Sequence, residues 1–137
     1  MAAGNHRISR RSDFSRTLRR GVRVSTCDLS VSVLVVPPHW PDPGGRRHAV
    51  ALVGGPWLGL IVSKSVGSAV VRHRVARRLR AAFDTVRDLA PAEEAFVVVR
   101  AHPGAADADT AALAEQLRAA FARRRIRALA PTSEVSR

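Results

Sequence analysis

The chain has 137 residues, a formal net charge of +12 and a composition that is 46% hydrophobic but only 4% aromatic. The apolar fraction is too high for a disordered chain, so one domain with a single core is expected over residues 1–130, followed by a disordered tail at 131–137. The longest apolar stretch, Ala49 to Val62, is broken by Gly54, Gly55 and Pro56 and is too short to cross a bilayer as a helix, and the single Cys27 has no internal disulfide or metal partner, which suits a reducing cytoplasm.

Residues 1–23 carry seven arginines and one acid. No hydrophobic segment follows Arg10-Arg11, so no secretory or twin-arginine signal is expected, and Asp13 argues against a mitochondrial presequence. A short helix is expected near Ser12–Arg20, with Ser12 as its cap and Phe14 and Leu18 sharing one face at i and i+4; Gly21 ends it. Residues 22–36 alternate Leu29, Val31, Val33 and Val35 with Ser30, Ser32 and Leu34, the pattern of a half-buried strand that runs out at Pro37-Pro38. The segment 37–47 reads as a loop without chemistry, and two strands follow at about 48–53 and 57–63 around Gly54-Gly55.

The clearest helix spans Ser68 to about Leu89. On a helical wheel Val71, Val75, Leu79, Ala82 and Val86 fall within an arc of about 80°, opposite Arg80, His73, Arg77 and Arg74, with Arg72 and Arg78 at the apolar edge. A strand at 95–100 and a last helix at about 110–129 complete the chain. That helix is capped by Asp109, buries Leu113, Leu117 and Phe121, and has Arg123 to Arg127 near its C-terminal end, where they suit the helix dipole. The order α-β-β-β-α-β-α points to one α/β (α+β) two-layer sandwich.

No constellation for catalysis is visible. Asp107 and Asp109 read as a helix start, Glu93-Glu94 as a turn, and the five histidines lack ligand spacing, so the chain is not expected to catalyse a reaction alone. Binding chemistry is better supported. Of the 23 basic residues, 22 are arginine and one is Lys64, and residues 64–80 hold Lys64 and five arginines without an acid. A solvated helix face normally intersperses acids at i,i+4, and here none is present to offset the repulsion. Together with the N-terminal arginines this is the footprint of a nucleic-acid ligand. Lys64, Ser65, Gly67 and Ser68 add hydroxyls and free helix N-terminal amides, a seat for phosphate; Gly67 is equally explained as a chain turn.

The run Leu58-Gly59-Leu60-Ile61-Val62-Ser63-Lys64-Ser65-Val66-Gly67-Ser68-Ala69-Val70-Val71-Arg72-His73-Arg74-Val75-Ala76-Arg77-Arg78-Leu79-Arg80 resembles the signature of the bacterial ribonuclease P protein component. That family has a strand ending in Ser-Lys-Lys, then Gly-Asn-Ala-Val, then a helix with Arg-Asn-Arg. Phe14, Leu18, Gly21 and Arg23 resemble its N-terminal helix and turn, and Phe96 to Arg100 with Pro103 its last strand. The resemblance implies a subunit that binds a catalytic RNA and with it removes the 5′ leader of precursor tRNA in the cytoplasm. In that holoenzyme, an endoribonuclease, the RNA holds Mg²⁺ and performs the hydrolysis.

It further implies a left-handed βαβ crossover, where physics alone favours the right-handed one in about 98% of cases. Lys64, Ser68, Arg72, His73, Arg74, Arg77 and Arg80 fall to the catalytic-RNA face, and Phe14, Leu18 and Ser32 to the leader cleft. Ser65 stands for the family's second Lys, Ser68 and His73 stand for Asn, and only one of three cleft aromatics is present, so weaker base stacking is implied. A basic ribosomal or ribosome-assembly protein is the second reading. A DNA-binding regulator is third, because strands rather than a second helix flank the arginine helix; neither DNA nor a membrane is an expected partner.

Overall fold

A computed structural model describes residues 8, 11–35, 55–92 and 94–130 of the chain. Its elements are α1 (Arg11–Arg20), β1 (Val22–Ser25), β2 (Leu29–Val35), β3 (Trp57–Ile61), α2 (Ala69–Val86), β4 (Ala95–Ala101), α3 (Thr110–Ala122) and a short α4 (Arg124–Arg127). The expected order is kept but is filled differently. The single strand expected over 22–36 is a hairpin, β1 and β2, turning at Thr26–Asp28, while the loop at 37–47, the strand at 48–53 and the tail at 131–137 lie outside the described residues.

The hairpin turn is closed from a distance. Gln116 on α3 accepts from Thr26 Oγ1 at 2.7 Å and from the Asp28 amide at 2.8 Å, and its Nε2 donates to Asp28 Oδ2 at 2.8 Å. The Thr26 hydroxyl, the Asp28 amide and one Asp28 carboxylate oxygen are thereby satisfied.

The sheet has the order β1-β2-β4-β3, antiparallel except for β3 against β4, so that α2 joins two parallel neighbours. Register separates two faces. Leu29, Val31, Val33, Leu58, Val97 and Val99 point to the side covered by α2 and α3, where they join Val75, Leu79, Phe83, Val86, Leu113 and Leu117 in one core. Each such side chain contributes about 1.5–3 kcal/mol by leaving water. The apolar stripe of α3 is as the sequence indicates, and that of α2 differs in leaving Val71 half-buried and adding Phe83; both caps form: Ser68 accepts from the Val71 amide at 3.3 Å and Asp109 from the Ala112 amide at 2.8 Å.

The other face bears Ser30, Ser32, Phe96, Val98, Trp57 and Gly59; α1 packs there against β2 and β4, and Ile8 against Trp57 and Phe96. The inner residues of α1 are Asp13 and Thr17 rather than Phe14 and Leu18. Thr17 can be buried because its hydroxyl bonds back to the Asp13 carbonyl at 2.8 Å, which satisfies the polar group within the helix.

The last helix is also shorter than its periodicity indicates. Ile126 lies about 140° from Phe121 on a continuous helix, away from the apolar stripe. The chain breaks at Arg123, which is extended (φ −63°, ψ 140°), and Ile126 is thereby turned fully into the core.

Candidate nucleic-acid interface

α2 presents its arginines because its other side is spent on the core. Lys64 opens a single 3-10 turn three residues past the end of β3, and Gly67 then adopts φ 156°, where a Cβ would lie 2.9 Å from Val71 Cγ1. Glycine is therefore required by the turn into α2. Lys64, Ser68, His73 and Arg77 are exposed, and Arg72, Arg74 and Arg80 half-buried. His73, Arg74 and Arg77 line one shallow hollow of about 440 Å³ with Ala69 and Val70. The Nε atoms of Arg72 and Arg74 are shielded from solvent yet bond to nothing among the described residues, so the stems are enclosed while the outer guanidinium nitrogens remain available to an acceptor. Arg80 is engaged within the fold.

Arg78 has a different task from its neighbours. Its Nη1 donates to the Ala108 carbonyl at 3.0 Å and ties α2 to the entry of α3. The sequence marked it only as flanking the apolar edge. Proximity to that edge was the available signal, since a long stem running along the core carries its head to the next element.

On the α1 side, the residues assigned to the cleft occupy different depths. Leu18 is 41% exposed, Ser32 only 3%, and Phe14 is half-buried with its ring against Gly59. Cross-strand register explains the difference. In the row Arg23–Ser32–Val98–Gly59 the three inner residues are buried, with the Phe14 ring at Gly59, whereas the next row, Ser25–Ser30–Arg100–Ile61, is exposed or half-buried throughout. The open row is polar: Arg100 is exposed, Ser30 Oγ lies 2.8 Å from His102 Nε2 and 3.3 Å from Ser25 Oγ. Ser30, Arg100 and His102 were not singled out from the sequence. Period-two alternation places Ser30 and Ser32 on the same face and does not say which of them a helix covers.

Among the described residues no three His, Cys, Asp or Glu side chains gather as a metal site, and no helix is long and apolar enough to cross a membrane.

A capped helix whose first three turns carry five arginines and no acid, beside a partly open polar sheet floor, is the surface of a protein that binds an extended polyanion. The family model for ribonuclease P matches residues 3–125. The ribonuclease P protein component of Nocardia farcinica is 52% identical over 120 residues, covering 82% of this chain and 76% of its own. That of Rhodococcus jostii is 47% identical over 130 residues, covering 93% and 94%. In fold, the chain is similar to the RNase P protein of Staphylococcus aureus (TM-score 0.62, 23% identity, 85% of this chain and 92% of that one) and to that of Thermotoga maritima (TM-score 0.60, 17% identity, 81% and 90%). The chain belongs to the ribonuclease P protein component family, the RNA-binding protein subunit of a tRNA-processing endoribonuclease.

Proposed function

We propose that the α2 face, through Lys64, Ser68, Arg72, His73, Arg74, Arg77 and Arg80, docks on the catalytic RNA, and that the α1 side of the sheet receives the single-stranded 5′ leader of precursor tRNA. The observation that carries this reading is the run of Lys64 and five arginines over residues 64–80, which holds no acid and begins three residues after the strand that ends beside the open sheet row. Guanidinium groups fork onto phosphates, and the exposed N-terminal turn of α2 offers the amides that the Ser68 cap does not take to the same backbone.

The leader enters beside Phe14 and Leu18 and passes over Ser30 and Arg100, with Ser32 supporting that floor from beneath α1. With one cleft aromatic in place of three, hydrogen bonds and charge supply more of its affinity than stacking does. Mg²⁺ and the hydrolytic step belong to the RNA, and the holoenzyme works in the cytoplasm. The protein's contribution is to hold the leader in line with the RNA and to neutralise phosphate repulsion between the two RNAs.

The test is reconstitution. Purified protein added to ribonuclease P RNA at low Mg²⁺ restores 5′ cleavage of precursor tRNA, and protein without that RNA leaves the precursor intact. Failure to restore cleavage, or specific cleavage that persists after rigorous RNA removal, overturns the reading.

A further inference from the structure

The edge of the sheet at β1 is closed by arginines from the far end of the chain. Arg123 Nη2 donates to the Ser25 carbonyl at 2.8 Å and Arg125 Nη1 to the Arg23 carbonyl at 3.0 Å, while Ile126 beside them is fully buried. These bonds occupy the outward carbonyls of an edge strand, which protects it from pairing with another chain. They also fix α4 in place. Arg124 and Arg127 are left on its outer side, both exposed and lining a shallow hollow of about 330 Å³ with Ala122 and Ala128.

No acid occurs between Glu115 and Glu134 in the sequence, and among the described residues no carboxylate pairs with Arg124 or Arg127; the described ion pair of this region, Arg118 with Glu115, lies further back on α3. On the other side of the same edge, exposed Arg23 stands on the α1 face directly across from Ser32, with exposed Arg19 and Arg20 just ahead of it at the end of α1. A charge count along the chain hides this cluster, because acids elsewhere cancel the C-terminal arginines. The fold brings α4 to β1, where Arg125 bonds the Arg23 carbonyl, and leaves Arg124 and Arg127 exposed on the outer side of that contact.

We propose that the β1 edge, through Arg23, Arg124 and Arg127, is a second phosphate-binding surface, which holds the upstream part of the single-stranded leader; this rests on the leader reading above. Geometry supplies the path. The proposed catalytic-RNA face starts at Lys64, three residues past the end of β3, and from Ile61 the open row Ile61–Arg100–Ser30–Ser25 crosses the sheet to β1, a span of about 14 Å at three inter-strand spacings. A strand leaving the cleavage site over that row reaches Arg23 and then the outer arginines. The contacts there are to phosphate alone, so they act on any leader sequence.

The experiment uses the reconstituted holoenzyme and three ligands: mature tRNA, precursor with a leader that ends within the cleft, and precursor with a longer leader. The double variant Arg124→Ala/Arg127→Ala is chosen because Arg123 and Arg125, which pin the edge, stay in place, and Arg124→Gln/Arg127→Gln repeats the test with longer side chains. The expected result is loss of the affinity that the longer leader adds, with the slope of log Kd against log salt for that precursor smaller by about 1.4. The short-leader precursor, mature tRNA and the catalytic RNA bind as before. If both variants keep the long-leader gain, or if the catalytic RNA itself binds more weakly, the edge does not hold the leader. If the wild-type holoenzyme gains nothing from any leader, it is the underlying leader reading that fails.

Discussion

The Phe14 ring lies so close to the bare backbone of Gly59 that a methyl group on Gly59 would come within 2.5 Å of ring atom Cε2 and 2.9 Å of Cδ2. One aromatic side chain thus does two things: its ring rests on β3 and positions α1 over the sheet, and its half-buried state leaves part of it facing the cleft. Gly59→Ala forces the ring or the helix outward. The expected cost is about 1–3 kcal/mol, as for other overpacked sites, read from urea unfolding, together with weaker binding of precursor tRNA relative to mature tRNA. Unaltered stability would mean that the ring moves aside freely and does not position α1.

Phe14→Leu separates the two tasks from the opposite direction. Leucine keeps much of the apolar volume against Gly59 but removes the ring, and stacking of one base on an aromatic ring is worth about 1–3 kcal/mol. The expected outcome is a precursor-specific loss of affinity by isothermal titration with Tm nearly unchanged. A drop in Tm without a precursor-specific defect assigns Phe14 to packing alone.

Gln116 is expected to matter for the hairpin and not for RNA. Gln116→Ala leaves the Asp28 carboxylate and amide without this partner and the Thr26 hydroxyl with only its long bond to the Leu29 carbonyl, 3.4 Å. The cost is about 1–3 kcal/mol, seen as a lower thermal midpoint, with affinity for the catalytic RNA unchanged in the folded protein. Equal stability of variant and wild type would show that water replaces the amide there.

Much of the architecture could be read along the chain, because it depends on neighbours in sequence. Leu29, Val31 and Val33 alternate to one face, Leu113, Leu117 and Phe121 repeat at helical spacing, and Ser68 and Asp109 cap the helices that follow them. What escaped the sequence depends on distant partners. The turn at Thr26–Asp28 lacks glycine and is closed by Gln116, ninety residues along the chain; α1 turns Asp13 and Thr17 inward because a back-bonded threonine fits under a close helix crossing. The same holds for the site. The arginine run of α2 was plain, whereas the choice between Ser30 and Ser32 needed the register, and the placement of Arg124 and Arg127 needed the break at Arg123.

His73 occupies the position between two arginines at which the family carries Asn, and it lies exposed in the α2 hollow. If its imidazole supplies the hydrogen bond that an amide makes to RNA, His73→Asn keeps most of the affinity for the catalytic RNA and His73→Ala loses it, by about 0.5–1.5 kcal/mol. Filter binding of the two variants side by side decides the point. Equal losses would mean that ring area, not hydrogen bonding, is what the RNA meets.

Arg77 and Arg78 are adjacent in sequence and belong to different parts of the molecule. Arg77 is exposed, lines the hollow with His73 and Arg74, and has no acid three or four residues away on either side. Arg78 is half-buried and spends its guanidinium on the Ala108 carbonyl. Removing each therefore has a distinct signature. Arg77→Ala removes one phosphate contact, so the slope of log K against log salt for the catalytic RNA falls by about 0.7–0.9, while Tm holds or rises slightly as repulsion along the helix is relieved. Arg78→Ala leaves a carbonyl without its donor and loosens the junction of α2 with α3, at a cost of about 1–3 kcal/mol of stability, with the salt slope kept. Both measurements are needed on both variants, since a destabilised protein can bind weakly for lack of folded molecules, but only a lost phosphate contact changes how steeply binding falls with salt. An unchanged slope for Arg77→Ala would make Arg77 a solvated residue and shift the docking surface toward Arg72 and Arg74.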